Sequence, residues 1–376
     1  MRTPALSVRW ITSRNYDLLW YVASCLASYF LIYLNVALGV SAILLWWFWI
    51  VLADGPHVFA TVSRTYLDSE ERKARSKLLV GSLFWFLLGP AAIYAGIVSQ
   101  SRLSFFLFLT FAQLWAYWHV VRQHYGFLTL YQKKNGEPSG KANSFEYWFF
   151  YILMLAPFVS FLIRHPEARL ELGLSPGATL PEQYVLIFLH AVIAIALLSY
   201  IAKQFRATTF NLPKNLFLLA CVPLHLFLFL HPYVSTHLDL RLFVVFVTMY
   251  HNIQYHGIVW FYNRNRYGQD RVGKRFGLAS RVSRSFAIYY AIGILFTLMY
   301  RYPQWFFIGA PVPFAPGPNS ISELWLGFSF QVSDLAIAFW WGFAFNHYYL
   351  DQKIWRVSKD RQLNKDLRLS ASPQLI

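Results

Sequence analysis

His57, His119, His124, His251, His256 and His347 all fall within long apolar runs, in the stretches LADGPHVFATVSRTYLD, WHVVRQHYGFLTLY, MYHNIQYHGIVWFYNRNRYG and FNHYYLDQKIWR. Ionisable side chains in such runs are costly, so a group of them is a functional-site hypothesis by default. Neutral imidazole is a common metal ligand, and a histidine-rich set without thiolates suits iron, zinc or copper. Carboxylates stand at helical spacing beside two of them. Asp54 and His57 are three residues apart and His347 and Asp351 four apart, so each pair shares a helix face. Each Asp either ligates or holds the imidazole's other N–H in place. His119 to His124 and His251 to His256 both read HxxxxH. Five residues of regular α-helix separate two side chains by about 140°. Either two layers of ligands serve two metals, or a π-bulge brings each pair onto one face.

Positioning these groups requires long helices. The chain has 376 residues, 57% hydrophobic, 20% aromatic and 13% charged, and its apolar runs of roughly 20 residues are the length that spans a bilayer. The expected fold is all-α: a polytopic integral membrane helical bundle, one domain over residues 1–376. Ten spans are expected at about 16–38, 40–61, 78–98, 103–131, 145–164, 184–203, 214–235, 239–262, 285–301 and 325–350. The alternating strands of an outer-membrane barrel and a cleavable signal peptide are both absent from the pattern. Placing both termini in the cytoplasm, with a basic N-terminus (1–15) and C-terminal tail (352–376), puts 27 of the 33 Lys and Arg on that side. The other six are Arg102, Arg164, Arg169, Arg241, Arg301 and, within a span, Arg122. The net charge of +16 therefore reflects membrane topology and no nucleic-acid partner. Cys25 and Cys221 lie in separate spans and indicate neither a disulfide framework nor a thiolate metal motif. Two Pro-rich loops, 165–183 and 302–320, are expected outside.

All six histidines lie on spans two, four, eight and ten, which run in one direction. Counted back from the first basic residue at each inner end, His57, His124, His256 and His347 share a layer about 9–14 Å deep. His119 and His251 form a second layer roughly 7 Å further in. Asp54 lies between the layers, and Arg122 near the depth of Asp54. Arg122 is expected to pair with Asp54, Asp351 or an anionic headgroup, or else to snorkel to the interface. His165, His190, His225, His231 and His237 read as packed or interfacial imidazoles with no assigned role.

The HxxxxH boxes resemble those of the histidine-box membrane non-haem iron oxygenases, a class that includes fatty-acid desaturases and hydroxylases. The chain departs from that class in having no HH pair. The stretches ADGPHVFAT and FVTMYHNIQYH resemble the bacterial carotene-cleaving dioxygenases of the Brp/Blh type, polytopic proteins with ligand histidines inside their helices. The resemblances imply a reaction class: a membrane-embedded oxidoreductase activating O₂ at histidine-bound iron, with two ions expected and zinc or copper as the lesser alternatives. They also imply a lipophilic small-molecule substrate and a cytosolic or membrane electron donor. On that reading the six histidines hold the metal, and Asp54, Arg122 and Asp351 are the candidate catalytic groups. The expected location is the bacterial inner membrane, within the lipid bilayer. Three other readings stay open: a proton- or metal-coupled transporter using the same cluster, a haem protein with axial histidines, and a hydrogen-bond network that only holds the bundle together. A lipid-hydrolysing zinc protease lacks its HExxH signature here.

Overall fold

In a nonpolar medium the backbone has to satisfy its own polar groups, and a run of apolar residues does so most simply as a helix. A computed structural model describes residues 5–175, 177–270, 272–313 and 317–369. Among the described residues, ten helical segments are 19 residues or longer. They are α1 (Arg14–Val36), α2 (Ala42–Arg64), α3 (Ser76–Ser99), α4 (Leu103–Lys134), α5 (Ser144–Arg164), α6 (Leu180–Arg206) and α7 (Leu212–Leu230), followed by α8 (Leu240–Tyr267), α9 (Phe286–Ile308) and α10 (Val332–Ile354). The first seven are long and apolar enough to cross a membrane. Strands among the described residues are confined to two short pairs: Ala5–Ser7 runs parallel to Thr209–Asn211, and Trp325–Gly327 runs antiparallel to Phe330–Gln331. Apart from these pairs, the long elements among the described residues are helices, with no barrel among them.

Several helix ends differ from the hydropathy boundaries, each for a local reason. α7 stops at Leu230 because His231 precedes Pro232, and the residue before a proline is driven out of the helical region; His231 has ψ 123°. α6 begins four residues earlier than expected, where Thr179 and Glu182 form a reciprocal cap. α10 begins only at Val332, because 325–331 form the short hairpin and Gln331 and Asp334 cap the helix behind it. α9 runs past Pro303 to Ile308 and ends at Gly309, whose φ of 70° suits glycine.

The chain divides into two compact units, with the divisions falling inside α4 and α8. The first comprises described residues 5–42 and 120–254. Here Phe149 of α5 stacks on Tyr200 of α6, with ring centres 4.2 Å apart. Lys214 is buried between Glu137 and Glu146, and Lys203 also reaches Glu146 at 2.7 Å. The Asp17 carboxylate accepts the amides of Ile11 and Thr12 and the Tyr131 hydroxyl. Ile187, Phe188, Ile195 and Leu198 of α6 are each more than 60% exposed, an apolar surface suited to lipid.

The second unit comprises described residues 43–119 and 255–369. Small residues let its helices approach at backbone distance, as membrane helices commonly do. A Cβ on Gly89 of α3 would overlap the Ala338 carbonyl of α10, and one on Gly342 would overlap Phe86. Gly55 of α2 lies against Thr297 of α9 in the same way. Ile93, Phe105, Phe108, Phe330 and Phe345 fill the space between α3, α10 and the first part of α4.

A π-helical turn, Ile50–Asp54, interrupts α2 just before His57. Pro56 has no N–H to give the Leu52 carbonyl four residues back, and the Tyr290 hydroxyl donates to that carbonyl instead. Residues 119–124 and 251–256, by contrast, are uninterrupted α-helix. The members of each HxxxxH pair therefore remain on different faces.

Candidate metal centre

The second unit gathers three histidines and a carboxylate. On α10, four-residue spacing sets His347 and Asp351 on one face, and both are buried. α2 repeats that spacing with His57 and Thr61, also buried. His119 comes from α4, and its ring is stacked on Tyr348 at 4.5 Å. Tyr255 comes from α8.

Hydrogen bonds determine which atoms of this group are left for a ligand. Thr61 Oγ1 and the Tyr255 hydroxyl both donate to Asp351 Oδ1, at 2.8 and 2.6 Å. Trp355 Nε1 in turn donates to the Tyr255 hydroxyl at 3.2 Å. A hydroxyl has one proton to give. With that of Thr61 directed to the carboxylate, His347 Nδ1, 2.7 Å from Thr61 Oγ1, is the donor of its own contact. The network thus assigns the proton of His347 to Nδ1 and leaves Nε2 with its lone pair. Among the described residues His347 Nε2 has no hydrogen-bond partner. It faces Asp351 Oδ2 at 3.8 Å, and His119 Nε2 faces the same oxygen at 4.0 Å.

One ligand atom from each of His119, His347 and Asp351 lies within 4.8 Å of the others. Metal–imidazole and metal–carboxylate bonds of about 2.0–2.2 Å place neighbouring ligand atoms roughly 3.0–3.5 Å apart. The spacings of His347 Nε2 and His119 Nε2 from Asp351 Oδ2, 3.8 and 4.0 Å, exceed that by roughly 0.3–1.0 Å. An orphaned lone pair and a carboxylate oxygen turned toward it are two acceptors that could hold a metal ion between them. Two histidines and one carboxylate are also the donor set that non-haem iron(II) oxygenases use. The residues present fit a metal.

The remaining sequence-predicted residues divide between the two units. His57 packs its ring edge-on against His347 and against Tyr255, at 4.4 Å each, with His119 at 6.3 Å. His256 lies 6.5 Å from His57, ring to ring, and its Nδ1 is 3.2 Å from the Tyr289 hydroxyl. Asp54 receives Arg301 Nη2 at 2.8 Å. Arg122, His124 and His251 belong to the first unit. There Arg122 donates to the Tyr151 hydroxyl, and the Gln123 side chain donates to the His251 carbonyl at 2.8 Å. The His124 and His251 rings are 6.2 Å apart.

Sequence reasoning passed over Thr61 and Tyr255. Thr61 was accessible through its spacing, four residues after His57 and so on the same face. Tyr255 had no comparable signal, since one Tyr among the 24 of this chain does not stand out.

The fold and site define an all-helical protein with several helices apolar enough to cross a membrane and a buried histidine–aspartate cluster. The chain matches no known protein family, no curated protein and no solved structure. Its chemistry therefore rests on its own geometry.

Proposed function

We propose that this protein is an integral membrane oxidoreductase in which His119, His347 and Asp351, flanked by His57, hold iron and act with O₂ on a lipophilic substrate. The observation that carries the reading is the convergence of the orphaned His347 Nε2 and of His119 Nε2 on Asp351 Oδ2. Iron held there would supply the redox chemistry and the O₂ affinity. The protein supplies the rest. Asp351 contributes the one negative charge of the three-ligand set. Thr61 and Tyr255 hold Asp351 by Oδ1 so that Oδ2 faces the imidazoles, and Thr61 also fixes the tautomer of His347. The buried surroundings limit access of water, which suits an apolar substrate entering from the bilayer.

On the same reading all ten long helices cross the membrane, with both termini cytoplasmic and the membrane a bacterial inner one, and a cytosolic or membrane donor supplies electrons. Elemental analysis of the purified chain tests the proposal. Stoichiometric iron that Asp351→Asn removes is the expected result. A wild-type chain without tightly bound metal, in which the same substitution uncouples ion flux, would instead make the cluster a transporter's relay.

A further inference from the structure

Residues 317–331, between α9 and α10, fold with their polarity reversed. Their polar side chains turn toward the protein: Asn319 Nδ2 donates to the Phe306 carbonyl at 2.9 Å, and the Ser322 hydroxyl donates to the Asn319 carbonyl at 2.8 Å. Their large apolar side chains turn outward, with Leu324 59% exposed, Trp325 62% and Phe328 45%. Glu323 is the only charged residue in the stretch. A loop that faces water has the opposite arrangement. Exposed apolar residues gathered in this way mark a protein or membrane contact.

The outward side chains cannot simply fold inward, because the short hairpin is fixed from behind. Arg102, at the start of α4, donates through Nη1 to the Ser329 carbonyl at 2.6 Å and through Nη2 to Asp334 at 2.7 Å. Phe330 is buried and meets Phe105 of α4 edge-on at 5.9 Å. A Cβ on Gly96 of α3 would overlap the Phe330 ring, and one on Gly327 would come within 3.2 Å of Ile97. These contacts hold the hairpin level with the bend where α3 ends and α4 begins.

The level of that bend decides what the apolar side chains meet. α3 and α4 are both long and apolar enough to cross a membrane, so the turn between them falls at a membrane surface. Val98 of α3, next to Ile97, is 65% exposed, and Leu103 of α4 is 60% exposed, so the apolar surface of the two helices continues up to the hairpin. Trp and other amphipathic aromatics concentrate at this depth, where the ring meets acyl chains and the N–H meets headgroups. We propose that the Trp325–Gln331 hairpin docks in the headgroup–acyl boundary of the lipid bilayer, with Leu324, Trp325 and Phe328 in contact with lipid. The proposal rests on the crossing of the membrane by α3 and α4, and it stands whether or not the histidine cluster binds iron.

The test uses the full-length chain in phosphatidylcholine vesicles, with the two buried cysteines changed to alanine. A single nitroxide label is placed at Trp325→Cys, at Leu87→Cys in the middle of α3, or at Lys359→Cys beyond α10, the last two being exposed positions. Collision rates with dissolved oxygen and with a water-soluble nickel chelate report depth. The oxygen-to-nickel ratio at Trp325 should lie between those of Leu87 and Lys359. A second measurement keeps the native cysteines: the fluorescence that Trp325→Phe removes from the wild type should be weaker in brominated vesicles than in plain ones. A ratio at Trp325 equal to that at Lys359 would overturn the docking, as would a label shielded from both colliders beneath another protein or a second copy of the chain. Nickel access at Leu87 would instead take α3 out of the membrane, and the proposal with it.

Discussion

His347 Nε2 and Asp351 Oδ2, one helical turn apart on α10, face each other at 3.8 Å with no proton assigned between them. Two acceptors held that close in a buried site are a destabilising arrangement unless a proton or a metal cation comes between them. The hydrogen bonds behind them, from Thr61 and Tyr255, keep them there.

Thr61→Val tests that support. It preserves shape but removes the acceptor for His347 Nδ1 and one donor to Asp351 Oδ1. The expected result is a loss of about 10–100-fold in metal affinity, with about 1–3 kcal/mol lost from the metal-free protein. Thr61→Ser should restore both. Metal titration and thermal unfolding measure the two quantities, and unchanged affinity in the Val variant would remove Thr61 from the site.

Tyr255→Phe deletes the other donor to Asp351 and strands Trp355 Nε1. Metal affinity should fall roughly tenfold or more, while circular dichroism stays that of the wild type.

Glycine contacts make a paired prediction about stability. Gly89→Ala drives a methyl into the Ala338 carbonyl and should cost about 1–3 kcal/mol. At Gly81 nothing lies within 4 Å of the added carbon, so Gly81→Ala should leave the melting temperature unchanged or raise it. Equal melting temperatures for the two variants would contradict the close approach of α3 and α10.

Outside the membrane-spanning segments, Asp270 organises the turn after α8. It accepts the amides of Lys274, Arg275 and Phe276 and the Ser280 hydroxyl, and the Phe276 amide above all holds its carboxyl below the usual value of 3.8. A depressed carboxyl stabilises the fold above the unfolded-state pKa, and the contribution is lost as pH falls through the lower, folded-state value. Amide exchange at Phe276, corrected for intrinsic rates, should show full protection from pH 5 to 7 and a loss of protection as the pH falls below about 3.8. Asp270→Asn should abolish that pH dependence.

Much of this arrangement was legible in the sequence, because apolar runs and helical spacing are local signals. Each of the ten hydropathy segments is occupied by a long helix, and the spacing of His347 and Asp351 alone put them on one face. What spacing cannot give is the rotation of one helix against another. Nothing local to Asp54 shows that it faces Arg301, 247 residues away, or that His124 neighbours His225. The tautomer of His347 was equally hidden, since it depends on Thr61 from a different helix. Helix ends were misjudged where caps and prolines, not hydropathy, set them, as at His231 and Gln331.

Iron content per chain, measured on purified full-length protein for the wild type and for Asp351→Asn and His347→Gln, tests the central claim most directly. Stoichiometric iron in the wild type, reduced roughly tenfold or more in both variants while each still inserts and unfolds cooperatively, is the predicted result. Iron absent from the wild type, or present in equal amounts in all three, would contradict a metal centre at His119, His347 and Asp351.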